Sequence, residues 1–190
     1  YSGAADEDIL SELSALAEAI LTAVDRWIYA ESVKKWGKPI LASGRPCHYA
    51  IFALGKLGGK ELNFSSDIDL IAVTESDEGK AGSLSLHEFF VRHVQKVTRA
   101  LQSETEEGFL YRVDWDLRPE GKAGTLVNSM SAIESYYESF GADWERQALT
   151  KCRPVAGDPS LGKKFLRLVE PFVYRKYLDL DTLRQIQSMK

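Results

Sequence analysis

Apolar residues recur at steps of three and four through Ile9, Leu13, Leu16, Ile20, Val24 and Trp27, with no glycine or proline between Asp6 and Trp36. That period predicts a long helix with those six residues on its buried face, stopped by Gly37 and Pro39. Tyr49–Leu54 is a short apolar run. Ile68–Thr74 is apolar on both faces, the pattern of a strand inside a covered sheet. Glu75–Gly82 reads as a polar turn. Ser85 and Glu88 form a capping box before a helix whose buried stripe is Leu86, Phe90, Val94, Val97 and Leu101.

Farther along, Phe109–Leu117 alternates. Tyr111, Val113, Trp115 and Leu117 are expected to face the core, with Arg112, Asp114 and Asp116 opposite. Arg118–Gly124 is a loop. Ser131 and Glu134 suggest a second capping box, opening a helix through Ile133, Tyr136, Tyr137 and Phe140 that Gly141 breaks. Trp144, Ala148 and Leu149 suggest another helix, ending near Pro154. Asp158 and Pro159 begin a further one, with Leu161, Phe165, Leu168 and Val169 inward. Asp181 can open a last helix through Leu183 and Ile186. The fold class is therefore α+β. A helical arm (1–38) precedes a mixed core (39–130) and a helical part (131–190). No internal repeat or low-complexity segment interrupts this order.

One stretch carries candidate chemistry. Leu54-Gly55-Lys56-Leu57-Gly58-Gly59 is followed, after a short polar passage, by Ser66-Asp67-Ile68-Asp69-Leu70. Strand side chains alternate, so Asp67 and Asp69 share one face. Two carboxylates that close repel, and a divalent cation between them keeps both ionised. Asp114, from a neighbouring strand, makes a third. Three carboxylates suit two Mg²⁺ ions, with Mn²⁺ as a substitute, serving both oxygens of an in-line displacement at phosphorus. A glycine-rich turn with Gly58, Gly59 and Ser66 can present backbone N–H groups to phosphate. Lys56, Arg118, Lys122, Arg146, Lys151 and Arg153 are the cations available to stabilise charge developing there.

Bulk properties narrow the classes. The 190 residues are 44% apolar and 27% charged, with net charge -4. That length supports one core, and the acidic balance argues against a protein that grips nucleic acid for affinity. No apolar run reaches the ~18 residues a membrane span needs. Cys47 and Cys152 lack metal-binding spacing and fit buried thiols in a reducing cytoplasm. His48, His87 and His93 show no ligand spacing, and His93 falls on the inner face of its helix. Trp27, Trp36, Trp115 and Trp144 are expected in the core. The chain begins at Tyr1, with no signal peptide visible, and reads as part of something longer.

The pattern G-x-L-G-G-x-E-L-x-x-x-S-D-x-D-L resembles the glutamine synthetase adenylyltransferase/adenylyl-removing enzymes of bacteria, whose two nucleotidyltransferase domains belong to the DNA polymerase β superfamily. Val113-Asp114 with Leu117-Arg118-Pro119, Gly124–Val127, Trp144–Leu149 and Lys151–Asp158 continue the likeness, which covers roughly 40–179. The resemblance implies a polymerase β-like sheet core, with Asp67, Asp69 and Asp114 holding Mg²⁺. It implies Gly58, Gly59, Ser66, Lys56, Arg118, Lys151 and Arg153 around the phosphates.

Glu61–Asp67 and Pro171–Tyr177 are similar to the adenylyl-removing half. There AMP leaves a tyrosine of glutamine synthetase by phosphorolysis, giving ADP, under control of the P-II signal protein. Adenylyl transfer from ATP, or nucleotide binding without turnover, are the alternatives. The family usually has arginine where this chain has Asp116, which implies either a lost phosphate contact or a fourth acid beside the metals.

Overall fold

The two apolar runs pair with each other, as strands that need cover on both faces must. The computed structural model describes residues 6–174. In chain order its elements are α1 (Asp6–Trp36), β1 (Ile40–Leu41), β2 (Tyr49–Ala53), the single turn α2 (Gly55–Gly58), β3 (Ile68–Thr74), β4 (Gly79–Ala81) and β5 (Leu84–Ser85). There follow α3 (Leu86–Gln102), β6 (Val113–Asp114), β7 (Val127–Ser129), α4 (Met130–Ser139), α5 (Asp143–Leu149), β8 (Arg153–Gly157) and α6 (Pro159–Val173). The central sheet runs β6-β3-β2-β8, with β7 also on β3; β1, β4 and β5 form a small separate sheet. β2 is antiparallel to β3 and β8, whereas β6 and β7 are parallel to β3.

Alternation along β2 and β3 divides the core in two. Tyr49, Ile51, Ala53, Ile68, Leu70 and Ala72 pack under α1 and α3. Ala50, Phe52, Ile71 and Val73 pack under α4, α5 and α6 with Ile133, Phe165 and Val169. Asp67 and Asp69 share the parity of Ile71 and Val73, so they continue the second face toward the sheet's edge.

Helix α1 buries a different stripe from the one its apolar spacing predicts. Ser14, Ala17, Leu21, Asp25, Ile28 and Ser32 are buried, one residue out of step with the expected set, or about 100° around the helix. Leu16 and Trp27 are 53% and 63% exposed. Hydrogen bonding sets this rotation. Ser14 Oγ accepts from Leu62 N at 3.0 Å, and Thr22 Oγ1 donates to the Val155 carbonyl at 2.9 Å. Tyr49 donates its hydroxyl to both Asp25 oxygens, and His93 Nε2 lies 2.9 Å from Asp25 Oδ1. Burial and the Asp25 carboxylate push the Tyr49 hydroxyl well above the usual phenol range. His93 is fully buried, as expected for a core histidine.

Other departures are local. Only Val113–Asp114 of the alternating stretch is strand, and β7 takes the far end of that edge of β3, beside Ala72–Thr74. Before it, Leu110 and Tyr111 fold back to donate to the Leu101 carbonyl. Phe109 and Leu110 are therefore exposed, while Trp115 joins one core layer and Leu117 the other. The segment around Pro154, expected to end a helix, forms edge strand β8, with a bulge opposite Ile51/Phe52. The polar stretch Glu75–Gly82 contains β4. The Ser85–Glu88 capping box forms, but α4 starts at Met130 straight from β7, with Ser129 rather than Ser131 at its N-cap. Trp144 is exposed and Trp36 half-buried, with Lys96 Nζ 4.3 Å from its ring centroid. The helix expected from Asp181 and the end of Pro171–Tyr177 lie outside the described residues.

Removing Asp25 would leave the Tyr49 hydroxyl and His93 without their buried partner. Asp25→Ala is expected to cost about 2–4 kcal/mol in urea unfolding, whereas Trp27→Ala on the exposed face should stay within about 0.5 kcal/mol. Equal losses would contradict the rotated packing of α1.

Candidate active site at the edge of the central sheet

The acidic residues meet where β3 begins. Asp69 and Asp114 are register neighbours in the parallel pair β3–β6, and Asp67 immediately precedes β3. Asp69 is half-buried, Asp114 likewise, and Asp67 exposed. Desolvation raises the Asp69 carboxyl above its ordinary value, followed by repulsion from Asp114 and then Asp67, with Lys56 pulling the other way. A carboxylate with those neighbours favours a bound cation.

The backbone makes room for this carboxylate at Gly55. That residue has φ +51, and a Cβ there would collide with Asp69 Oδ2. Spacing drew attention to Gly58 and Gly59, but the left-handed conformation and the close approach to Asp69 belong to Gly55. Only the strand-to-helix junction, invisible in composition, could have marked it. Gly58 is buried, and its bare Cα lets the carbonyls of Lys151 and Ala53 pack against α2. Gly59 is exposed beside Glu61, whose carboxylate pairs with Lys151.

The basic residues fall into two groups. Arg153 donates to the Leu57 and Gly58 carbonyls, both at 3.1 Å, and to Glu18 at 2.6 Å. Arg118 closes its own loop through the Trp115, Lys122 and Gly124 carbonyls at 2.9–3.2 Å. Both guanidiniums are thus bound to backbone. Lys56 instead stands at the site, its Nζ 3.2 Å from Asn63 Oδ1 and 3.4 Å from Ser66 Oγ. Lys151 is exposed at the rim. Arg146 is held by Asp143 at 2.7 Å and donates to the Phe172 carbonyl. Asp116 faces cations, with Lys122 at 3.2 Å and Arg118 at 3.6 Å, and its backbone N–H donates to Asp114 Oδ1 at 2.6 Å.

Asp67 is engaged by Arg112, a residue that the sequence placed on the acidic face without a role. Among the described residues, no three His, Cys, Asp or Glu side chains stand close enough to hold a metal as they are. The donor set nevertheless fits a hard divalent cation: all oxygen, with mutual repulsion at Asp69 to relieve.

The α+β architecture, with its N-terminal helix, mixed sheet and C-terminal helices around an acidic sheet edge, is that of a nucleotidyltransferase-like core. The chain belongs to the glutamate-ammonia ligase adenylyltransferase family, whose model matches residues 2–168. It is 44% identical over 188 residues, 97% of its length, to the bifunctional glutamine synthetase adenylyltransferase/adenylyl-removing enzyme of Thioalkalivibrio sulfidiphilus (strain HL-EbGR7). It is also 44% identical over 183 residues, 94% of its length, to the protein of that name in Pseudomonas putida (strain KT2440). The chain spans 19% of the length of each of these relatives.

Two tests bear on the site. Gly55→Ala forces a side chain into a left-handed position and onto Asp69, at a cost of about 1–3 kcal/mol in thermal or urea unfolding. Asp69→Asn removes a group whose pKa is raised on folding. In metal-free buffer this variant is expected to be the more stable at pH 7, since the raised carboxyl opposes folding once ionised. Its advantage should shrink as pH falls through the raised pKa and vanish below the ordinary value of 3.8, where both states are protonated. Urea midpoints across that range provide the check.

Proposed function

We propose that this chain is a metal-dependent nucleotidyltransferase unit that removes AMP from a tyrosine of glutamine synthetase by phosphorolysis. The observation that carries the reading is the convergence of Asp67, Asp69 and Asp114 at one sheet edge, with the Asp69 carboxyl raised first by burial and then by the other two. The names of the relatives, which join adenylyl transfer to adenylyl removal on glutamine synthetase, support the substrate. The likeness of Glu61–Asp67 to the adenylyl-removing half supports the direction. Asp67, Asp69 and Asp114 would hold Mg²⁺ or Mn²⁺, which supplies charge neutralisation and Lewis acidity at the phosphoryl oxygens.

The residues of the chain do the rest. Lys56 and Ser66, already in contact, present donors to the nonreacting oxygens of inorganic phosphate, with Lys151 at the rim; the Gly58 and Gly59 N–H groups, expected from the sequence to cradle phosphate, donate instead to the Leu54 and Gly55 carbonyls. A phosphate oxygen attacks the phosphorus of the adenylyl group. The new P–O bond gives ADP, and the tyrosine oxygen departs with the electron pair of the broken bond. A phenol of pKa about 10 is a fair leaving group, so the departing oxygen takes its proton from water and no protein acid is required. Arg118 and Arg153 contribute by fixing the loop after Asp114 and the turn carrying Lys56.

We place the protein in the cytoplasm, where Cys47 and Cys152, both free thiols, stay reduced. No helix among the described residues is long and apolar enough to cross a membrane. The P-II signal protein would act through the full-length protein.

Incubation with adenylylated glutamine synthetase, phosphate and Mg²⁺ should release ADP, and Asp69→Asn should lower that rate by at least about 100-fold. Pyrophosphate release from ATP with unmodified glutamine synthetase would reverse the direction. ADP release indifferent to Asp69→Asn would overturn the site.

A further inference from the structure

Asp67 already has a positive charge beside it. Arg112 donates from Nε to Asp67 Oδ1 and from Nη2 to the Ser65 carbonyl at 2.6 Å. The side chains are 52% and 50% exposed, so the pair can open into water without stranding a buried charge. Its two ends are anchored differently. The Arg112 backbone is fixed, because its carbonyl accepts from Ile68 N at 2.9 Å where β6 meets β3. Ser65, which it grips, is a non-glycine residue at φ +57, held in a sparsely populated conformation. The guanidinium is the mobile part. It reaches from the residue two before Asp114 across to the residue two before Asp69, spanning the mouth of the acidic cluster.

We propose that Arg112 is an exchangeable counter-ion. In the metal-free protein it occupies the Asp67 oxygen that a divalent cation would need, and when the cation takes that oxygen the guanidinium turns to the phosphate oxygens of the bound nucleotide. The inference rests on the reading of Asp67, Asp69 and Asp114 as cation ligands. Of the three carboxylates, Asp67 is the one that a guanidinium holds. A guanidinium suits both partners, since its fork matches carboxylate and phosphate alike. No covalent step is involved; one ion pair breaks and two form.

The exchange predicts effects of opposite sign from one substitution. Arg112→Gln should tighten Mn²⁺ binding, measured by calorimetry or electron paramagnetic resonance without nucleotide, by about fivefold, the worth of an exposed ion pair. The same variant should bind ADP several-fold more weakly in saturating Mn²⁺. Arg112→Lys, which keeps the charge but not the fork, should fall between on both measurements and guards against misfolding of the glutamine variant. Mn²⁺ affinity that is unchanged or weakened in Arg112→Gln overturns the exchange, as does unchanged ADP affinity. Asp69→Asn separates this failure from a deeper one. If Mn²⁺ binds equally well with and without that substitution, the metal reading itself falls. If Asp69→Asn abolishes binding while Arg112→Gln does not tighten it, only the exchange is lost.

Discussion

Strand β3 carries two demands that conflict. From Leu70 onward every residue is buried between two helical layers, yet its opening must keep Asp69 and its acidic neighbours together at the border of that same dry interior. Carboxylates repel more strongly as water is withdrawn, so the strand is tolerable only if its charged end stays near the edge. The connectivity provides this. β6 covers just the first two residues of one side of β3, β7 covers the last three, and the chain between them loops outward through Arg118. Splitting one edge between two short parallel strands ends pairing at the acidic residues and leaves that corner accessible.

The layers on either side solve their packing in different ways. Beneath α4, α5 and α6 the contacts with the sheet are apolar and aromatic, with Phe52 and Phe165 at a ring separation of 4.3 Å, and the buried Glu145 and Arg146 bond among those helices. On the other face, α1 reaches the sheet through Thr22 and Asp25 and the loop before β3 through Ser14, as well as packing through Ala17, Leu21 and Ile28. The polar contacts give little net stability when satisfied, but they are costly when broken. They therefore select one rotation of a helix whose apolar residues alone would accept another. Glu18, on the same side, reaches Arg153 and so connects α1 to the turn that carries Lys56.

This explains which parts of the molecule could be read from sequence. The α3 helix and strands β2 and β3 were legible because local pattern and tertiary environment agree there. The acidic trio was legible from strand parity and from the family resemblance. The face of α1 was not, since three of its six buried positions are polar, and two of these, Ser14 and Asp25, meet partners 24 to 68 residues away. Gly55 was hidden because its need for a left-handed backbone arises from Asp69, a neighbour across a loop. Arg112 looked like one more strand charge, and Arg118 and Arg153 like phosphate ligands. It is the fold that sets one guanidinium on a carboxylate of the cluster and commits the other two to carbonyls.

Strand β8 closes the sheet at the far side from the acids, and its character matters for the protein at high concentration. A free strand edge is a template onto which another molecule can add its own strand. Here Pro154 removes one N–H, the bulge against β2 breaks the regular spacing of the remainder, and α1 claims the Val155 carbonyl through Thr22. Such an edge resists edge-to-edge growth into filaments. The proline that disguises this segment as the end of a helix also disfavours the addition of a second molecule's strand at this edge.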